Sequence, residues 1–587
     1  MRYDAIIVGA GHNGLTTAGY LAKAGLSVCV LEHAEQVGGC VQTWERFGVK
    51  VNPYSFGYGP IHATPVIEDL GLEGHGLKWL WLDPFTFVPM PDGRHLLFHR
   101  DLDETCERIA GQFSERDAED YRRFIEFYDP VYETMGYWFL DPPPSLEDAL
   151  AALDRKEADH LLFAMSTSAN RVLKEFFDEE ALMLPHSFWG PAIHRQHLDE
   201  PGSALFLGAH AALHKWGLSQ PVGGSGKLTE AMARAVEGWG GTIRTRCTVS
   251  RVLQASGEVK GVRLADGETI EGKTIVTAVD PRQALSELLT EDALGRDLHR
   301  KARALHVFEG GCLKVVLAAK ELPDYSALPS SGPGKHHVGV QIICPSLEYL
   351  ESTYLACKRG LLNDPAFFVN TQSVLDPSLG APGRYPIGIE TRYAPYHIAD
   401  GRSWDEVKES EGRRVLEILG RFAPNFPDAV TDMEVISPVD FERRIKLPRG
   451  DGDHLHLGLD QRFRGRPLAE VCDYRTPIRN LYLTGAGTHP GSGVTGAPGY
   501  NAAKAVLEDL DRAADGRTVP KTQGQAVAGL DASDIVKQAY LRTLSRYPSA
   551  EELIRSRRYL ETSDDTMGGV RDLLWVLMNT KEFIVNH

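Results

Sequence analysis

Tyr3-Asp4-Ala5-Ile6-Ile7-Val8-Gly9-Ala10-Gly11-His12-Asn13-Gly14 is a short apolar run that breaks into the pattern G-x-G-x-x-G. A buried parallel strand reads this way. The three glycines permit a tight turn, close backbone approach to a pyrophosphate, and close packing of the helix that comes next. Alone the pattern is weakly specific, and its context sharpens it. Leu15 to Leu26 has the spacing of an amphipathic helix, Ser27 to Leu31 reads as a second apolar strand, and Glu32 closes it. An acid at that point is placed to accept from a ribose hydroxyl, so the expected ligand is an unphosphorylated adenine dinucleotide.

The residues after Glu32 separate FAD from NAD. Val37-Gly38-Gly39-Cys40-Val41-Gln42-Thr43 brings a second glycine pair where an NAD domain would usually enter another helix. The segment resembles the G-G-x-x-x-[ST] stretch of glutathione-reductase-like and amine-oxidase-like flavoproteins. That resemblance implies that Gly38, Gly39, Cys40 and Thr43 lie along the diphosphate and ribityl chain of FAD. A third piece stands far downstream: the strand-like Asn480 to Leu483, the turn Gly485-Ala486-Gly487-Thr488-His489, then Gly493, Val494, Gly496 and Ala497 before a helix from about Tyr500 to Leu510. Strand, glycine turn and helix place backbone N–H groups at a helix N-terminus, where phosphate or developing negative charge is stabilised.

The chain resembles the phytoene-desaturase-like FAD oxidoreductases, most closely the branch of pyridine nucleotide-disulphide oxidoreductase domain-containing protein 2. The resemblance is carried by GAGHNGL at the start, WGLSQPVGGSGKL from Trp216 to Leu228, GVRLADGETIEGKTIVTAVDPR from Gly261 to Arg282, SVLDPSL from Ser373 to Leu379 and GAGTHPGSGVTGAPGYNAA from Gly485 to Ala503. It covers about residues 1 to 515. It implies an α/β fold: a Rossmann-like FAD-binding domain of the glutathione-reductase/amine-oxidase type, interrupted by an α+β substrate domain. It also implies that Val249 lies beside the adenine through its backbone, next to the contacts expected of Gly9, Gly11, His12, Asn13 and Gly14. The wider superfamily often carries Arg after the second glycine pair as a bidentate phosphate partner. Here that residue is Cys40, which weakens an amine-oxidase reading.

The expected organisation is FAD-binding segments over 1–60, 222–300 and 475–512, with substrate-domain segments over 61–221, mainly helical, and 301–474, an antiparallel sheet with helices. A polar linker over 513–532 and a helical tail over 533–587 complete the chain. In the tail, Ser549-Ala550-Glu551-Glu552 is a capping-box signature, while Val536, Ala539 and Tyr540, then Val570, Leu573 and Leu577, recur at helical spacing. The tail resembles the C-termini of certain planctomycete proteins of unknown function. Three short helices make a marginal core, so the tail is expected to dock on the body, on another subunit or on a partner.

Composition narrows the function classes. With 587 residues, 42% of them apolar, the chain buries a large core and divides into domains. A formal net charge of −17 argues against nucleic acid and against bulk attraction to anionic lipid, while leaving peripheral membrane contact through a local apolar patch open. The first strand begins at Tyr3 with no room for a signal peptide, and no apolar run reaches spanning length, so a cytoplasmic location is expected. The eight cysteines form no C-x-x-C, which argues against a redox pair or a zinc site. His210 and His214 share helical spacing but lack an H-E-x-x-H, so no metal is expected.

The implied reaction is hydride transfer between the flavin and a lipophilic or bulky small molecule, as in desaturation, saturation or isomerisation of a polyene, with an electron acceptor the sequence does not name. Thr488 and His489 are the candidates for stabilising charge on the reduced ring, His489 also for proton transfer. A flavin amine oxidase, or an FAD-bound regulatory protein without turnover, are the alternatives. Tyr54, Phe56, Tyr58, Trp189, Phe206 and Trp216 are candidates to line the substrate cavity or, equally, the core.

Overall fold

The opening apolar run forms a strand over Arg2–Val8 in the computed structural model, which describes residues 2–330, 332–514, 536, 539–540, 548–562, 573 and 577. The helix after it spans His12–Lys23, entering three residues before the first apolar position, because Gly11 supplies the extended N-cap (φ −67°, ψ 168°). The second strand, Val28–Leu31, pairs in parallel with the first in the register Ala5↔Val28 to Val8↔Leu31. Ile6, Ile7, Cys29 and Val30 are fully buried, as a strand covered on both faces requires.

Around this pair a parallel sheet is assembled from distant parts of the chain. Its order is Leu481–Leu483, Thr269–Thr277, Arg2–Val8, Val28–Leu31, Thr242–Arg244. An antiparallel hairpin, Val249–Ala255 with Glu258–Leu264, attaches to the N-terminal half of Thr269–Thr277. The stretch Thr242 to Leu253, read from sequence as one strand-like run, is broken at Arg246 (φ 58°), and its two halves sit on opposite sides of the sheet. Helices Gly226–Gly238 and Ala497–Ala514 pack against His12–Lys23. The second of these contacts is close, since a Cβ at Gly499 would lie 2.3 Å from Asn13 O.

The second sheet has seven strands in the order Val430–Ile436, Lys314–Ala319, Tyr385–Thr391, Phe367–Asn370, Val340–Ile343, Thr86–Pro89, His95–Phe98. It is antiparallel except where Val340–Ile343 meets Thr86–Pro89. That last hairpin comes from a region the sequence presents as mainly helical. Its strands are four residues each, bounded by Pro84 and Pro91-Asp92-Gly93, and their pairing partner lies some 250 residues downstream, beyond the reach of local periodicity. Helices from Leu102 to Trp216, including Glu115–Tyr137 and Arg155–Ser166, pack with this hairpin into an aromatic-rich core around Phe85, Phe98, Tyr121 and Phe124.

These elements belong to one unit, Met1–Val519, and Pro520–His587 is a second. From residue 515 the expected linker lies outside the described residues, as do most positions of the first and third tail helices. In the second unit a helix spans Ala550–Thr562, with Ser549 and Glu552 exchanging the two capping-box hydrogen bonds (2.7 and 3.3 Å). Val536, Ala539, Tyr540, Leu560, Leu573 and Leu577 form its buried cluster. Among the described residues no helix is long and apolar enough to cross a membrane.

Candidate cofactor site

Strands Arg2–Val8, Val28–Leu31, Thr269–Thr277 and Leu481–Leu483 all point the same way, so the residues just beyond their C-terminal ends meet along one edge. Gly9, Glu32, Ala278 to Asp280, and Gly485 with Ala486 line a crevice there. This is where ligands bind open parallel sheets. Gly11, His12, Asn13, Gly14, Gly39, Cys40 and Val249 line it too, together with Thr248, Lys446, Leu447 and His454.

The backbone turns are specified by glycine only where geometry demands it. Gly9 takes φ +103°, and a Cβ at Gly14 would lie 2.1 Å from Gly9 O, so no other residue fits beneath that turn. Gly38 N donates to Ala10 O (2.8 Å), and a Cβ at Gly39 would come 3.3 Å from Gly11 Cα, so the two glycine segments run in contact. A Cβ at Gly11, by contrast, would meet nothing within 4 Å and would project into open space.

Glu32 is 4% exposed, and its carboxylate accepts from Ala10 N (2.7 Å) and Ala34 N (2.9 Å) with His33 Nδ1 2.8 Å away. Burial works against its ionisation, but His33 and the two amides overcome this and hold its pKa below the usual carboxylate range. Asp280 caps the helix Pro281–Ser286 through Oδ1, which accepts from Arg282 N and Gln283 N (2.9 and 3.3 Å). Burial pushes its carboxyl up to about 7. His12 and His454 are kept neutral by burial, each depressed to about 4.

Among the described residues, four buried polar atoms in this lining have no hydrogen-bond partner: His12 Nε2, Asn13 Oδ1, Asp280 Oδ2 and His454 Nδ1. Orphaned groups of this kind are costly unless a ligand satisfies them. Together with the open space at Gly11 they fit an extended polar cofactor.

The remaining expected contacts surround the crevice without lining it. Gly38 sits under the second turn, where a Cβ would meet Val41 O at 2.3 Å, and Thr43 Oγ1 accepts from Gly226 N (2.9 Å). Gly487 packs on Pro281, Val494 joins the core against His12–Lys23, Gly496 lies against Val66 and Thr16, and Ala497 opens the last helix of the unit. Gly493 takes φ +106°. Neither expected catalytic side chain reaches the crevice. Thr488 Oγ1 donates to Gly485 O (2.9 Å), and His489 Nε2 donates to Trp138 O (2.7 Å) with its pKa depressed to about 4 by burial.

Behind Ala486 lies a buried ionic network that the sequence did not reveal. Arg195 reaches from the helical insert to Asp453 (3.0 Å) and Asp451 (3.5 Å), and His194 stands 3.3 Å from Asp453. Arg466 donates to Asp453 O (2.9 Å) and to Ala486 O (2.6 Å). Burial opposes ionisation of Asp453, but His194 and Arg195 hold it well below the normal range, whereas burial and the neighbouring Asp453 raise Asp451 to about 6. Such a network fixes geometry more than it stabilises. His194 and Arg195 stand more than 250 residues before Asp451, Asp453 and Arg466, which hides the network from any motif.

On the second sheet, Lys314 is fully buried, donating to Tyr54 O (2.7 Å) with Glu390 3.2 Å away and Phe56 beneath it. Of the candidate aromatics, Phe56 and Trp189 converge on Phe368, Tyr54 lies between Trp44 (edge-on) and Phe441 (tilted), Tyr58 is core, and Phe206 lies under Arg462.

Residues 14–507 match the model of the family described as flavin containing amine oxidoreductase. The chain belongs to that family. It is 30% identical to pyridine nucleotide-disulfide oxidoreductase domain-containing protein 2 of Mus musculus, over 87% of this chain and 94% of that protein. It is 27% identical to a lycopene-forming phytoene desaturase of Pseudescherichia vulneris, over 86% of this chain and 99% of that one. The fold is shared with an oxidoreductase from Methanosarcina mazei (TM-score 0.58, 18% identity, 86% of this chain and 100% of that chain). The protein is thus an FAD-dependent, phytoene-dehydrogenase-like oxidoreductase, and the crevice is the part of its structure that fits FAD.

Proposed function

We propose that the enzyme transfers hydride between a carbon of a lipophilic or bulky organic substrate and the flavin, in a desaturation, saturation or isomerisation of the polyene type. The observation that carries this reading is the similarity to a phytoene desaturase over 86% of this chain and 99% of that one. FAD, when bound, supplies the two-electron acceptor or donor. The turn at Gly9 to Gly14 admits the diphosphate, and the free N–H groups at the start of His12–Lys23 favour its charge. Glu32, ionised, keeps lone pairs for ribose hydroxyls beyond those used by Ala10 and Ala34. Neutral His12 and the raised carboxyl of Asp280 bring donors rather than like charge to an anionic ligand. Lys314, pinned by Tyr54 and Glu390, and the aromatic side chains around Phe368 close the substrate side against water. Thr488 and His489 shape the loop after the last strand, their side chains being engaged by backbone carbonyls.

The test is anaerobic mixing of FAD-loaded protein with a micellar polyene, a monoterpene and a primary amine, read by the flavin's visible band. Bleaching by either hydrocarbon and not by the amine is expected. Bleaching by the amine alone would replace this reading with amine oxidation.

A further inference from the structure

His33 lines the cofactor crevice and joins two parts of the chain that lie 411 residues apart in sequence. Its Nδ1 is 2.8 Å from Glu32 Oε1, and its Nε2 is 3.2 Å from Arg444 O, in the last turn of the helix Pro438–Ile445. Both partners are acceptors. Glu32 already takes Ala34 N on Oε1 and Ala10 N on Oε2, and a carbonyl oxygen has no proton to give. A neutral imidazole carries one N–H, so only the imidazolium makes both bonds at once. The side chain is 28% exposed, which leaves that proton in exchange with solvent.

The far partner lacks a donor of its own. Four residues after Arg444 stands Pro448, with no N–H for the carbonyl, and the helix stops at Lys446 in a left-handed turn (φ 58°, ψ 29°). A residue with a side chain seldom holds that conformation without support from its surroundings. A cation at a helix C-terminus gives such support, through the carbonyl and through the helix dipole. Ile445, Lys446 and Leu447, the residues at this turn, line the same crevice as Glu32 and His33.

We propose that His33 is a positioning residue for the cofactor: as an imidazolium it clasps the Ile445–Leu447 wall to Glu32 across the crevice, and on losing its proton it lets go of one side, so that FAD is held at low pH and released as pH rises. The inference rests on the crevice being the FAD site and is independent of the substrate. Loss of the proton gives up one bond and also leaves the Glu32 carboxylate uncompensated near an anionic ligand, so both effects act in one direction. The hydrogen bond to Glu32 outweighs burial and holds the imidazole above its ordinary range, while Lys446 opposes it. Among the other neighbours, the Arg444 guanidinium is turned to Glu434 (2.8 Å), Arg246 pairs with Glu35, and the Cys247 thiol donates to Thr245 O (3.3 Å). A group raised in this way keeps its bonds below its ordinary value of about 6.5 and gives them up as pH climbs through the raised one.

The test is the rate of FAD release from the loaded full chain, followed by flavin fluorescence after dilution between about pH 6 and pH 9, in wild type, His33→Arg and His33→Gln. Asp280, raised to about 7 in the same crevice, moves release in all three, so the readout is the difference between them. From pH 6 to pH 9 wild type should accelerate at least about tenfold more than His33→Arg, which keeps a charge and donors throughout. His33→Gln should already release FAD at pH 6 at about the rate wild type reaches at pH 9. Amide exchange at 445–447 in the FAD-stripped full chain, corrected for the intrinsic rate, should lose protection over the same range in wild type and stay level in His33→Arg. Melting temperatures confirm the fold of the variants, and if His33→Gln does not fold, wild type against His33→Arg decides alone. Parallel release profiles in wild type and His33→Arg, slow release from folded His33→Gln at pH 6, or exchange at 445–447 that ignores pH would each overturn the proposal. The crevice reading fails separately, on stoichiometric flavin in Gly11→Val.

Discussion

Substituting Gly14 by valine places a Cβ 2.1 Å from Gly9 O and 3.0 Å from Ala278 Cβ, backbone and core atoms with nowhere to go. Overpacking a core costs about 1–3 kcal/mol when side chains can adjust. Here the first helix would have to move off its strand, so about 3 kcal/mol or more is expected. The gain in helix propensity of valine over glycine returns only about 0.3 kcal/mol. Substituting Gly11 by valine is a different perturbation. Its backbone (φ −67°, ψ 168°) is open to any residue, and its Cβ meets nothing within 4 Å. The apoprotein should therefore melt like wild type, within about 0.5 kcal/mol. The added side chain occupies space the cofactor needs, so flavin binding should weaken at least about a hundredfold. The assay pairs thermal unfolding of FAD-stripped protein with the flavin-to-protein absorbance ratio as purified. Gly14→Val should fail both measurements and Gly11→Val only the second. Stoichiometric flavin in Gly11→Val, or an apo Gly14→Val as stable as wild type, would refute this account of the crevice.

Glu32→Ala should weaken FAD by about 1.5–3 kcal/mol, and also lower apoprotein stability by about 1–3 kcal/mol, because Ala10 N and Ala34 N lose their acceptor; an apo melting curve identical to wild type would confine Glu32 to the ligand. Burial depresses His186 to about 3 and His456 and His489 to about 4. The unfolded chain takes up these protons below about pH 6.5 while the folded one does not, so stability is complete above 6.5 and declines as pH falls toward 4, by up to about 1.4 kcal/mol per unit for each group. Melting temperatures equal at pH 7 and pH 5 would contradict this. His186→Phe, at a ring with no partner on either nitrogen among the described residues, should flatten the profile. Truncation after Val519 removes the second unit and should leave a folded, FAD-binding first unit, measured by flavin content and size; loss of flavin would make the tail part of the core.

The glycine words were legible because each glycine answers a local need: Gly9 a positive φ, Gly14 a contact no side chain survives, Gly11 a space left open. The strand and helix bounded by them were placed within a few residues. The features hidden in the sequence are non-local. Nothing near Thr86 or His95 announces pairing with Val340–Ile343, and nothing near His454 or Asp280 announces the same crevice. Asp280 stands in an Asp-Pro step at a strand end, which signals the cap of Pro281–Ser286 and says nothing of a crevice. Glu32 was assigned a ribose, and its role in holding Ala10 and Ala34 could not be read from an acid at a strand end.

The parallel sheet draws its adjacent strands from residues 2–31, 242–277 and 481–483, and the crevice is walled by the loop after each of them. During synthesis, then, the first glycine turn waits for more than 450 residues before its opposite wall leaves the ribosome. Until Leu481–Leu483 arrives, Ile275 to Thr277 have no neighbour on the side away from Arg2–Val8, and an unpaired apolar strand edge is an invitation to wrong partners. Cofactor capture is consequently a late event in the life of the chain. A ribosome stalled before Asn480 holds a polypeptide with its dinucleotide signature complete and its dinucleotide site still missing a side.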